Sequence, residues 1–177
     1  MKKLMINVCL ILIGFIIYFL QANFFSWFNI NGVKPNLFII YILFIGLFGN
    51  KSMAIVYGAA WGIFLDLLYE TRIGINLIGL VLIGLIAILF NKNFSKDSKL
   101  TVIFMVFSST IIFEILYFIT KHIVYAANAE VGKFIGILFV ECIYNIILTI
   151  IIYPLIQKFG YYIENTYKEN KILTRYF

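Results

Sequence analysis

Three carboxylic acids lie inside stretches that are otherwise apolar: Asp66, Glu114 and Glu141. A carboxylate in hydrocarbon costs roughly 2.5–3.5 kcal/mol on insertion scales, so it turns toward protein or water and marks something the molecule needs. Asp66 is preceded at four-residue intervals by Gly62, Gly58 and Ala54, and Glu141 is followed at the same interval by Asn145 and Thr149. That interval puts each set on one face of a helix. The first set is a surface where another helix backbone can approach closely, either from this chain or from a docking partner. The second is a polar stripe.

Other chemistries are poorly served. The single histidine, His122, has no helical Glu or His at metal spacing, so it reads as a surface residue in a loop and no metal is expected. No serine occupies a G-x-S-x-G turn, and no phosphate loop is present, so neither a serine hydrolase nor a nucleotide-binding motif is indicated. Three acids without an intramembrane lysine or histidine make a poor proton relay, and no repeated polar ring suggests a channel. Cys9 and Cys142 lie in apolar runs and read as buried thiols. The sequence therefore indicates no catalytic residue and no cofactor.

The elements that position these acids are membrane spans. Of 177 residues, 63% are hydrophobic and 12% charged, against about one quarter charged in a soluble domain. Lys2-Lys3 followed by Leu4 to Leu20 resembles a signal peptide, but its apolar run exceeds the usual ~7–15 residues and no A-x-A site follows, so it reads as a retained helix. Six spans are expected, at residues 4–24, 35–48, 52–69, 73–90, 100–119 and 134–156. The second is short and opens at Pro35, where a missing N–H costs nothing. The fold class is all-α and polytopic: one six-helix domain over residues 1–157, then a basic and aromatic tail over 158–177.

Lysine and arginine choose the orientation. Lys2, Lys3, Lys51, Lys92, Lys96, Lys99, Lys158, Lys168, Lys171 and Arg175 fall on one side, leaving Lys34, Arg72, Lys121 and Lys133 on the other. The richer side is cytoplasmic and holds both termini. The net charge of +6 is read as topology and headgroup contact rather than nucleic-acid binding. The tail, with Tyr161, Tyr162 and Tyr167 among its lysines, is either an interfacial amphipathic stretch or a frayed end.

Orientation brings the acids together. Asp66 closes the third span, Glu114 comes late in the outward-running fifth, and Glu141 early in the inward-running sixth. Asp66, Glu114, Glu141 and Asn145 are thus expected as a polar cluster in the outer half of the membrane, either with Arg72, Lys121 or Lys133 as counter-charges or with the acids protonated and simply hydrogen-bonded. A tight turn after Asp66 makes a hairpin of the third and fourth spans. Arg72, Asn76 or the free amides opening the fourth helix could each hold Asp66 and clamp that hairpin. Under that reading Asp66→Asn is expected to be milder than Asp66→Ala.

The stretch from Pro35 to Asn76 resembles the MreD family of bacterial rod-shape-determining membrane proteins. The matching residues are Pro35-Asn36-Leu37 opening a span, Gly49, then Gly58, Gly62 and Asp66, then Gly74 and Asn76. The family often has an acid after the proline, where this chain has Asn36. The resemblance implies a non-enzymatic scaffold in the bacterial cytoplasmic membrane, part of the peptidoglycan elongation machinery. It implies association with the single-span protein MreC and, through it, a link between the MreB filament and a glycosyltransferase and transpeptidase outside. The partner's helix would dock on the face of Ala54, Gly58 and Gly62. The substrate-capture subunits of energy-coupling-factor vitamin transporters, which look like fold relatives of this family, are the second reading. Against it, the first span has only Gly14 and Ala22 as small residues, not the A-x-x-x-A face such subunits carry.

Overall fold

The computed structural model describes residues 2–49, 51–94, 97–125 and 130–173. Six helices follow one another: α1 (Lys2–Trp27), α2 (Leu37–Phe48), α3 (Lys51–Tyr69), α4 (Ile75–Asn93), α5 (Lys99–Tyr125) and α6 (Val131–Leu173). The fold is all-α, as the composition requires. Five helices are long and apolar enough to cross a membrane, and α2 is the shorter sixth.

The shortness of α2 organises everything else. Its sequence LFIIYILFIGLF is apolar on every side, and all 12 of its residues are buried. A helix hydrophobic all round belongs in a core, and α2 contacts each of the other five helices. At 1.5 Å per residue it is about 18 Å long, well short of the ~30 Å hydrocarbon core. Its ends therefore lie where water is scarce, and its terminal N–H and C=O groups need partners from side chains. They find them. Gln21 Oε1 of α1 accepts from the Leu37 N–H at 3.2 Å, and Asn145 Oδ1 of α6 accepts from the Asn36 N–H at 2.9 Å. At the far end Asn91 Nδ2 of α4 donates to the Gly46 carbonyl at 3.2 Å. Pro35 is buried one residue before the helix cap at Asn36, not at the first helical position.

Small residues let α2, α3 and α4 share one region. A Cβ on Gly46 would sit 2.3 Å from the Ala87 Cβ and 3.3 Å from the Ala54 Cβ. α1 is peripheral and docks through aromatic rings. Trp61 of α3 fills the space beside Gly14, and Phe15, Phe38 and Phe64 pack around it at centroid separations of 5.1, 5.4 and 5.3 Å. α1 also carries a π-helical turn at Leu20–Phe24, beside the Gln21 that caps α2. Between α1 and α3 an apolar groove of about 520 Å³ is open at the surface, lined in part by Ile11, Val56 and Ala60.

Two sequence boundaries move. Residues 158–173 do not begin a separate tail but continue α6 past Pro154. Gly160 lies against the Phe48 ring, Ile163 is buried, and Tyr161 OH donates to the Asp97 carboxylate, so residues 160–163 are packed on the bundle. The rest of the predicted tail, 174–177, lies outside the described residues. His122 is exposed in the last turn of α5 rather than in a loop.

Candidate functional site

Asp66 is completely buried, and its carboxylate accepts four hydrogen bonds. Oδ2 takes the backbone N–H of Gly74 at 2.8 Å and of Leu77 at 3.1 Å, while Oδ1 takes the Asn76 N–H at 2.8 Å and the Asn76 Nδ2 at 2.9 Å. These amides open α4. A helix start presents unpaired N–H groups and a positive dipole end, and a carboxylate from the preceding helix satisfies both. Gly74 holds φ 130°, a conformation that favours glycine, and so turns its N–H inward. Of the three partners open to Asp66, the amides and Asn76 hold it. Arg72 is exposed on the turn.

The face of Ala54, Gly58 and Gly62 is filled by the chain itself. A Cβ on Gly58 would lie 2.6 Å from the Leu80 carbonyl oxygen, and one on Gly62 would lie 2.5 Å from the Leu77 Cα. Gly84 of α4 answers in kind, its Cβ position 2.8 Å from the Ala54 carbonyl oxygen. The docking role expected for this face is corrected: α3 and α4 touch backbone to backbone there, and no room remains for a partner's helix. Gly132 and Gly136, a second pair of small residues four apart at the start of α6, have nothing within 4 Å of either Cβ position.

The expected cluster of four polar residues divides. Asp66 points into the α4 amides. Asn145 spans Asn36 and α5, its Nδ2 donating to Thr110 Oγ1 at 3.0 Å. Glu114 and Glu141 remain together, buried to 7% and 6% exposure. The two acids are neighbours, and Asn145 lies beside Glu141. They line a cavity of about 400 Å³ whose other walls come from Gln21, the loop 31–36, Glu70, Asn76 and Tyr117. The loop is shaped by Asn31 and Gly32, at φ 51° and 82°, which close a tight turn between Ile30 and Val33.

The counter-charges also fall differently. Lys121 pairs with Glu70 at 3.2 Å, and Tyr117 OH donates to the same Glu70 oxygen at 2.9 Å. The Lys121 ammonium stands 4.6 Å from the Tyr117 ring centroid. Lys133 is exposed and pairs with Glu130 at 2.5 Å. Glu70, Gln21, Tyr117 and the Asn31-Gly32 turn were not singled out in the sequence, though each left a signal. Gln21 is an amide inside an apolar run. Glu114, Tyr117 and Lys121 recur at three and four. Asn-Gly is a strong turn signal.

Among the described residues, no group of three or more His, Cys, Asp and Glu side chains is placed to hold a metal ion.

Five membrane-length helices wrapped around a short buried one, with polar side chains spent on helix ends and one polar cavity, define a multi-pass protein of the cytoplasmic membrane. The family model described as rod shape-determining protein MreD matches residues 2–163, and the chain belongs to that family. Its place is therefore in rod shape determination. No curated protein and no solved structure matches the chain.

Proposed function

We propose that the chain is a non-enzymatic membrane scaffold of the cell-wall elongation machinery, with both termini in the cytoplasm. On this reading it binds the single-span protein MreC. Through MreC it helps couple the MreB filament to the glycosyltransferase and transpeptidase that build peptidoglycan. The family match over residues 2–163 is the observation that carries the reading. The economy of the chain supports it: the conspicuous polar groups Asp66, Gln21, Asn91 and Asn145 are engaged in joining helices of this bundle.

The test is depletion of the chain in its own cell. Rounding of the cells, with loss of MreC from sites of wall growth, is the expected result. Rod shape and unchanged MreC position after depletion would contradict the proposal.

A further inference from the structure

The groove between α1 and α3 has two unlike ends. Its walls are stripes at intervals of four: Asn7, Ile11 and Phe15 on α1, and Val56, Ala60 and Phe64 on α3. The α3 stripe starts one turn earlier, at Ser52. That interval keeps each stripe on one face of its helix. Tyr57 ties the two helices together, its hydroxyl donating to the Asn7 carbonyl at 3.2 Å. Both helices are of membrane length, and Ile11 and Val56 are 45% and 61% exposed, so the mouth of the groove opens into the bilayer.

One end is closed. Phe15 meets Phe64 at a centroid separation of 5.8 Å, and further along Tyr18 meets Phe64 and Tyr69 at 5.3 and 6.2 Å. Rings therefore bridge α1 and α3 from Phe15 onward, and the helices part only toward Lys2. The open stretch from Ser52 to Phe64 is about 18 Å long at 1.5 Å per residue. That is roughly one leaflet of a ~30 Å hydrocarbon core, not its full depth. A partner's spanning helix needs the full depth. An acyl chain entering from one surface needs only the leaflet.

The other end is polar and basic. Asn7 and Ser52 stand there, and α1 and α3 both begin there, at Lys2 and Lys51, adding the positive ends of their dipoles. Lys3 lies one turn before Asn7. Its ammonium stands 5.3 Å from the Tyr167 ring centroid, and Tyr167 neighbours Tyr57. Contact with a ring face leaves an ammonium with N–H groups to give. Against the ten basic residues that the sequence places on this side stand three acids, Asp97, Glu164 and Glu169, of which Asp97 and Glu164 already have partners.

We propose that this groove seats one acyl chain of an anionic glycerophospholipid, whose phosphate lies among Lys3, Asn7 and Ser52. Charge complementarity selects the headgroup, and the closed end at Phe15 and Phe64 selects a lipid over a helix. The groove's 520 Å³ falls within the ~300–1,000 Å³ of small-molecule sites. This site is independent of the scaffold reading and stands or falls without it.

The two tryptophans of the chain allow a direct test. Trp61 lines the groove, and Trp27, 89% exposed at the far end of α1, is replaced by phenylalanine. The full chain with Trp27→Phe is placed in phosphatidylcholine vesicles containing, at equal mole fraction, brominated phosphatidylglycerol or brominated phosphatidylcholine. Quenching of Trp61 fluorescence reports the chain in the groove. Phosphatidylglycerol is expected to occupy it about 5-fold more readily, the effect of one lysine near a membrane surface. Lys3→Gln is expected to remove that preference. Ala60→Phe fills the trough from an exposed position, keeps the lysines, and is expected to remove it as well. The two variants alter different parts of the groove, so either answers if the other does not fold. Equal quenching by the two lipids in the parent, or a preference undiminished in either folded variant, overturns the proposal.

Discussion

Asp66 Oδ1 accepts from both the backbone N–H and the side-chain Nδ2 of Asn76, at 2.8 and 2.9 Å. One oxygen thus fixes both the start of α4 and the side chain that opens it. The other oxygen takes Gly74 and Leu77. All four groups around the carboxylate are donors, so Asp66→Asn, though still milder than Asp66→Ala, is costly in its own right. An amide there must present its own NH₂ to N–H groups and leave two of them unpaired. We predict that Asp66→Asn destabilises by about 2–3 kcal/mol and Asp66→Ala by somewhat more, because hydrogen bonds to charged groups are worth ~1.5–3 kcal/mol each. Unfolding of both variants in detergent checks this. An Asn variant as stable as the parent would show that the carboxylate is not needed at the turn.

Gly62 makes a similar argument by shape alone. Its Cβ position is 2.5 Å from the Leu77 Cα, and backbone cannot swing aside as a side chain can. Gly62→Ala is predicted to cost about 1–3 kcal/mol by overpacking, and Gly62→Leu to prevent folding. Gly136→Ala, with nothing within 4 Å, is the control and does not destabilise, since alanine is the better helix former. Because the clash is internal, the loss appears in the purified chain without any partner. Loss of partner binding with full stability would restore this face to a docking role.

Asn145 joins three elements through Asn36, Thr110 and its own helix. Removing it leaves the Asn36 N–H at the head of α2 without an acceptor. We predict about 1–3 kcal/mol for Asn145→Leu. A cycle with Thr110→Val isolates the side-chain pair. Its coupling energy is expected near ~1 kcal/mol, and strict additivity would mean that the two side chains do not depend on each other.

Glu70 is buried to 6% while its partner Lys121 is 41% exposed. Lys121→Met leaves a buried carboxylate with Tyr117 as its remaining named partner. The open position of the lysine limits the loss to about 1–2 kcal/mol, less than for a fully buried pair. Glu70→Gln in the same background is expected to recover part of that loss. No recovery would place the stabilisation in the lysine stem rather than the charge.

The helices themselves were legible because apolar run length is a strong signal, and the bounds of α3 differ by one residue from expectation. The α3–α4 hairpin was legible too, since small residues at intervals of four and a closing acid have few structural uses. What the sequence left open was which helix met the glycine face. Helical periodicity defines a surface but not its neighbour, and the answer depended on Gly84 and Leu77 of α4. The central position of α2 was hidden for another reason. A 12-residue apolar run looks like a weak span, whereas here it is a core helix with side-chain caps supplied from residues as distant as Asn145. The split of the acid cluster followed from the same local effect. Amides opening α4 capture Asp66 before it can join Glu114 and Glu141.

The central claim is that this chain works by holding partners together in the membrane. The most direct measurement is mild crosslinking in the native membrane, purification of the chain, and identification of what accompanies it. The account predicts MreC together with wall-synthesis enzymes. Recovery of an ATPase pair with its membrane coupling subunit, and no MreC, would contradict it and make the chain a transporter component.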